Sequence, residues 1–207
     1  MADPSSPPAA PRRRLAEDER RRQIIAAAIE ELAEGGYERA SLTRIAARAG
    51  VSKGLIWHYF SGKDDLMESV ASATATAIRE RIASRLDLTE PVPAVIRAAL
   101  RHVARLSVDH RAELVALTHI AHNLRHPDGS PRLTPDHYEA SYRAQEVLFR
   151  RGQAEGTLRD FDTRVMAITY QGSIDAMLAH LQAHPEVDPE SYADQLAELL
   201  LDGIKSA

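Results

Sequence analysis

Apolar residues recur three and four positions apart along most of the chain, and no segment shows the strict alternation of a half-buried strand. The spacing predicts an all-α protein of about nine helices. Ile24, Ile25, Ala28, Ile29 and Leu32 mark an amphipathic helix over residues 18–34, stopped by Gly35-Gly36. Two short helices follow. Leu42, Ile45, Ala46 and Ala49 share one apolar face, Ile56 and Phe60 repeat the spacing, and Ala49-Gly50-Val51-Ser52 stands between them. Gly50 suits the left-handed turn that closes the first helix, and Ser52 suits the cap of the second. Residues 41–60 therefore read as a helix-turn-helix.

Leu66, Met67, Val70, Ala73, Ala77, Ile78 and Ile82 extend one helix from residue 65 to about residue 86. Pro91 and Pro93 interrupt the pattern, and five more helical stretches follow, over residues 94–109, 111–124, 134–154, 162–183 and 189–204. Thr134 and Pro135 suit the start of the third of these. In the last pair, Phe161, Val165, Ile168, Thr169, Gly172 and Ala176 form one stripe, and Leu196, Leu199, Leu200 and Ile204 form another. Small residues let two helices approach closely, so this pair is the candidate dimer seam.

The second motif helix adds chemistry to the pattern. With Ile56 and Phe60 facing inward, Ser52, Lys53, Trp57, His58 and Tyr59 are left facing out, a costly display for an ordinary surface. Hydroxyls, ring N–H groups and an ammonium reach phosphates and base edges, and Gly54 lets a backbone come close. Between residues 39 and 63 stand Arg39, Arg44, Arg48, Lys53 and Lys63 with no Asp or Glu, although the chain carries a net charge of −4. A basic footprint confined to one window is what a phosphate-binding face needs. Ser61-Gly62-Lys63-Asp64 reads as a capping box, and the Lys63 cation in that first turn calls for an anion to answer it.

Val51-Ser52-Lys53-Gly54-Leu55-Ile56-Trp57-His58-Tyr59-Phe60-Ser61-Gly62-Lys63-Asp64-Asp65-Leu66 closely resembles the signature of the tetracycline-repressor (TetR) family of bacterial transcriptional regulators, over roughly residues 20–70. The resemblance implies an all-helical homodimer with an N-terminal three-helix DNA-binding domain and a larger C-terminal domain that binds a small molecule and dimerises. It divides the chain into a disordered basic arm over residues 1–17, a DNA-binding domain over residues 18–70 and a ligand-binding and dimerisation domain over residues 71–207. It also implies that Ser41, Thr43 and Arg44 approach the DNA backbone. Ser52, Lys53 and Gly54 then approach bases or phosphates, and Trp57, His58, Tyr59 and Lys63 complete the contact with a palindromic double-stranded operator. Leu55 is apolar where the family often has a polar residue, and Trp57 stands where Tyr is usual, so the operator sequence does not carry over. Leu55 suits a thymine methyl.

The remaining features narrow the function. The N-terminal residues 1–11 are rich in Pro, Ser and Ala and lead into Arg12-Arg13-Arg14, the composition of a loose basic tail. There is no cysteine, and no apolar run long enough for a membrane span or a signal peptide, which points to a cytoplasmic protein without a membrane partner. No nucleophile elbow, phosphate loop or dinucleotide fingerprint is present, so an enzyme is not expected, nor is a cofactor. His119, His122 and His126 have helical spacing but no carboxylate at ligand spacing, so metal sensing is a minor alternative. A mainly apolar effector among the middle helices fits better, with His102, His119, Tyr138, Tyr142, Gln145, Tyr170 and Gln171 as its candidate polar lining. The expected function is a ligand-released repressor. The alternatives are an activator of the same family and a small-molecule-binding protein with no DNA role.

Overall fold

The computed structural model describes residues 9–206. Among them the chain forms α1 (Ala9–Arg39), α2 (Leu42–Arg48), α3 (Lys53–Tyr59), α4 (Lys63–Ala83), α5 (Val92–Asp109), α6 (Arg111–Asn123), α7 (Glu139–Ala154), α8 (Thr163–Ala183) and α9 (Pro189–Ile204). The only β-structure among these residues is two isolated bridges, Arg125 with Pro131 and Leu158 with Lys205.

Periodicity placed these helices to within a few residues, with two informative differences. α1 begins at Ala9 rather than at residue 18, so residues 9–17 of the expected disordered arm are helical, while residues 1–8 lie outside the described part. Pro11 falls in the first turn, where its missing amide hydrogen leaves no bond unmade, and the Arg, Leu, Ala and Glu residues that follow are good helix formers. The helix over residues 134–154 is also not uniform. It opens with a 3₁₀ turn, Pro135–Tyr138, in which the Thr134 amide donates to His137 Nδ1 at 3.0 Å, and becomes α-helical at Glu139.

Two hydrophobic cores organise the packing. The first, hereafter the head, buries Ile24, Ala28 and Leu32 of α1 with Ile45, Ile56, Phe60, Leu66, Met67 and Val70. It also takes in Ala116 and Ile120 of α6 and the following Leu124. The second, hereafter the body, joins Val92, Ile96 and Leu100 of α5 to Phe149, Tyr170, Met177, Leu181, Ala197 and Leu201 of α7, α8 and α9. Helix α6 thus lies against the head although the sequence places it among the body helices. Local periodicity reports that a face is apolar; it does not report which neighbour covers it.

One glycine is required by close approach. A Cβ at Gly152 of α7 would stand 2.5 Å from Leu158 Cδ1 and 3.0 Å from Val92 Cγ1, which explains the glycine within Arg151-Gly152-Gln153. No helix among the described residues is long and apolar enough to cross a membrane.

Candidate nucleic-acid interface

Each motif helix is started by its own serine. Ser41 Oγ accepts from the Arg44 amide at 3.3 Å at the head of α2, and Ser52 Oγ accepts from the Leu55 amide at 3.2 Å at the head of α3. Gly50 turns the chain between them with φ of 64°, and the Ala49 carbonyl accepts from Gln23 Nε2 of α1 at 2.7 Å. Arg21 of α1 fixes the far end of α3. Its guanidinium lies 4.5 Å over the Phe60 ring and donates to the Tyr59 carbonyl at 3.2 Å and to Ser69 Oγ at 2.8 Å.

With Ile56 and Phe60 buried, α3 turns its other face to solvent. Ser52, Lys53, Gly54 and His58 are exposed, Trp57 is 53% exposed, and Leu55 is half-buried. Tyr59 is partly covered by the head core and stands edge-on to His58 at 5.1 Å. Ser41 and Thr43 are exposed at the start of α2. The serine oxygens used in capping leave the hydroxyl hydrogens free to donate to an anion.

The basic window is less positive in three dimensions than along the chain. Glu31 of α1, 4% exposed, accepts from Arg44 Nε and Arg48 Nε, each at 2.7 Å. Arg48 also pairs with Glu30 at 3.1 Å and with Glu34. Burial pushes the Glu31 carboxyl up, but the hydrogen bonds and charges of Arg44 and Arg48 outweigh that and hold it below its ordinary value. Arg48 therefore braces α2 against α1. Arg44 does the same through Nε, with half of its side chain in solvent. Two arginines one turn apart in α2 facing acids one turn apart in α1 were the readable signal for this brace, and the window from 39 to 63 excluded those acids.

Lys63 also differs from expectation. The N-cap of α4 is Gly62, without a side-chain bond, and it is Asp65 that reaches back, its Oδ2 accepting from the Ser61 amide at 2.8 Å. Lys63 Nζ donates to the Tyr37 carbonyl at 2.6 Å and lies 4.2 Å from the centre of the Tyr37 ring. Burial holds its pKa below the ordinary lysine value against the pull of Glu38 and Asp64. The answer to this cation is thus the carbonyl and ring just past the Gly36 kink in α1.

The candidate effector residues do not form one lining. His119 packs beside Gly36, at the seam between α6 and α1, and His102 is half-buried on α5. Tyr170 is buried edge-on to Phe149 at 5.7 Å, and burial raises its pKa. Tyr138, Tyr142, Gln145 and Gln171 do come together between α7 and α8: the tyrosine rings are 5.9 Å apart, and Gln145 Nε2 donates to Gln171 Oε1 at 2.9 Å. A groove of about 600 Å³ runs elsewhere, between α1 and α4, past Arg21, Ser69, Ala73 and Glu80. Among the described residues no three His, Cys, Asp or Glu side chains converge to hold a metal. His122 Nδ1 turns instead to the Thr118 carbonyl at 2.8 Å.

Most of the candidate seam is uncovered. Val165 is 61% exposed, Ile168 49% and Leu199 76%, and Thr169, Gly172 and Ala176 are also exposed. Four of its residues turn at least partly inward, Ile204 being buried in the body core. Phe161 packs edge-on to Phe149 at 5.9 Å, and Leu196 and Leu200 are partly buried against the body core.

Comparison with known proteins identifies the head. Residues 24–70 match the family model described as bacterial regulatory proteins, tetR family. The chain is 33% identical over 91 residues to the fatty acid metabolism regulator protein of Bacillus subtilis, a match covering 42% of this chain and 46% of that relative. It is 46% identical over 57 residues to the HTH-type transcriptional regulator BetI 1 of Chromohalobacter salexigens, covering 28% of each. The chain thus spans less than half the length of the curated relatives it matches. Across the fold, it resembles the transcriptional regulator FadR from Bacillus subtilis solved in complex with stearoyl-CoA, with a TM-score of 0.72 and 22% identity over 88% of this chain and 98% of that one.

Proposed function

Since the chain belongs to the tetR family of bacterial regulatory proteins, we propose that it is a homodimeric transcriptional repressor that grips a palindromic operator and is released by a small-molecule effector. The observation that carries this reading is α3, a short capped helix that buries Ile56 and Phe60 and turns Lys53, Trp57 and His58 outward. In this reading Ser41, Thr43, Arg44, Ser52, Lys53, Gly54, Leu55, Trp57, His58 and Tyr59 form the contact with DNA. Lys63 contributes through the donors left over from its bond to Tyr37. A single head reads too few bases for selectivity, and two heads must meet successive major grooves about 34 Å apart. The exposed stripe on α8 and α9 supplies the pairing surface, with Val165, Ile168 and Leu199 as its apolar anchors.

The effector acts through α6. This helix contributes Ala116 and Ile120 to the head core, and its Glu113 binds Arg81 of α4 through two bonds, of 2.6 Å and 3.1 Å. Arg132, just beyond α6, holds Asp64 and Glu68 at the start of α4. A ligand that shifts α6 therefore shifts the head as well. To weaken operator binding 100-fold it must distinguish the two conformations by about 2.7 kcal/mol.

Selection from randomised duplexes followed by titration of the recovered site tests the proposal. The expected result is a palindrome bound with steep salt dependence. Stearoyl-CoA is the first effector to add, because the FadR of similar fold was solved with it bound. A chain that enriches no sequence and binds DNA without salt dependence is not this regulator.

A further inference from the structure

Between α7 and α8 the polar groups form a chain whose direction is forced. Asp175 of α8 is partly buried, and the groups that reach its carboxyl are Gln171 Nε2, at 3.0 Å, and the Tyr138 hydroxyl. An ionised carboxylate only accepts, so Gln171 must turn its amide nitrogen toward Asp175. Its oxygen then faces Gln145, which must donate through Nε2, as it does at 2.9 Å. What remains at the end of the chain is Gln145 Oε1, buried and without a hydrogen-bond partner. Reversing either amide would set two donors or two acceptors against each other, so the orphaned oxygen follows from the carboxylate.

The chain therefore ends on an acceptor that no donor answers. Arg164, the neighbouring cation, is engaged elsewhere: it lies 4.7 Å over the Tyr142 ring and pairs with Glu139 at 2.6 Å and Glu146 at 3.1 Å. Tyr138 is 37% exposed, so the cluster opens to solvent at its edge. Burial raises the Asp175 pKa despite its two hydrogen bonds, the cost of a carboxylate that no cation answers.

We propose that the mouth formed by Tyr138, Tyr142, Gln145, Gln171 and Asp175 receives the head group of the effector, and that this head group is a protonated amine. The ammonium donates to Asp175 at the solvent-open edge that Tyr138 marks, with the Tyr138 ring beside it, and supplies the cation this carboxylate lacks. This rests on the ligand-released reading above and names the ligand class that reading leaves open.

Calorimetric titration of the full-length protein with decylamine, decanol, decanoate and stearoyl-CoA tests it, alongside operator release by each compound. Decylamine should bind at least about tenfold more tightly than decanol, the scale of one charge-assisted hydrogen bond. Asp175→Asn should reduce that preference to less than about threefold, and Asp175→Glu should restore part of it. Decanol titration of both variants, with circular dichroism, separates a lost head-group contact from a lost fold. Preference for decanoate or stearoyl-CoA, an amine preference that survives Asp175→Asn, or no binding by any probe overturns the inference. An Asp175→Asn effect on dimer dissociation in place of amine affinity overturns it too, by assigning the acceptors to a second copy of the chain. The ligand-released reading is judged separately: operator release by an anionic or neutral probe preserves it while sinking the amine.

Discussion

Replacing Glu31 with Gln removes the one nearly covered acid that ties α2 to α1. The carboxylate has two charge-assisted hydrogen bonds to lose, to Arg44 and Arg48, each worth about 1.5–3 kcal/mol at most. Two facts reduce the sum. Half of the Arg44 side chain is in solvent, which screens its pair, and Arg48 keeps Glu30 and Glu34 when Glu31 is gone. The expected loss is therefore about 1–3 kcal/mol, below the value for breaking a fully buried pair. The pH dependence has a definite sign. With the folded pKa held below its ordinary 4.5, the contribution is present in full above that value and is lost as pH falls through the lower, folded pKa. Urea unfolding of both proteins at pH 7 and at successively lower pH measures it. The gap between them should narrow as acid protonates Glu31. A gap under about 0.3 kcal/mol at pH 7, or one that widens in acid, would refute the assignment of Glu31 as the brace.

Gly152→Ala should lower stability by about 1–3 kcal/mol in the same assay, because the added methyl meets Leu158 at 2.5 Å; a neutral result would show that α7 shifts freely there. Lys53→Ala should weaken binding to all duplexes alike and reduce the magnitude of the salt slope by about one, whereas Arg48→Ala should act mainly on stability, since its donors are already taken within the chain. Ile168→Asp should convert a dimer to monomer in sedimentation at micromolar concentration and abolish selective operator binding; an unchanged mass would remove α8 from the seam. Trp57, the sole tryptophan and half exposed, should change its emission when operator is added, and an indifferent signal would place it outside the groove.

Much was legible before folding was considered, because it depends on local rules. Gly50, Ser52 and the spacing of Ile56 and Phe60 placed the two motif helices within a residue or so of their ends, and the exposure of Trp57 and His58 followed from the burial of their neighbours. The expected ranges 162–183 and 189–204 fall within a residue of α8 and α9, and the structure adds that Asp162 and Asp188 cap them, each carboxylate accepting from backbone amides. Periodicity and capping are properties of a few consecutive residues, so sequence alone determined the helical class, the motif and its outward face.

Tertiary structure decided which charges are free and which apolar face meets which. Arg48 counted as a phosphate ligand along the chain is a brace in space, because Glu30, Glu31 and Glu34 lie outside the local window but across one helix packing. His119 sits against Gly36, and α6 is shared with the head, because an apolar stripe carries no label for its partner. The direction of the Gln145–Gln171–Asp175 chain likewise exists only once two helices meet, since hydrogen-bond polarity belongs to the contact and not to any one residue.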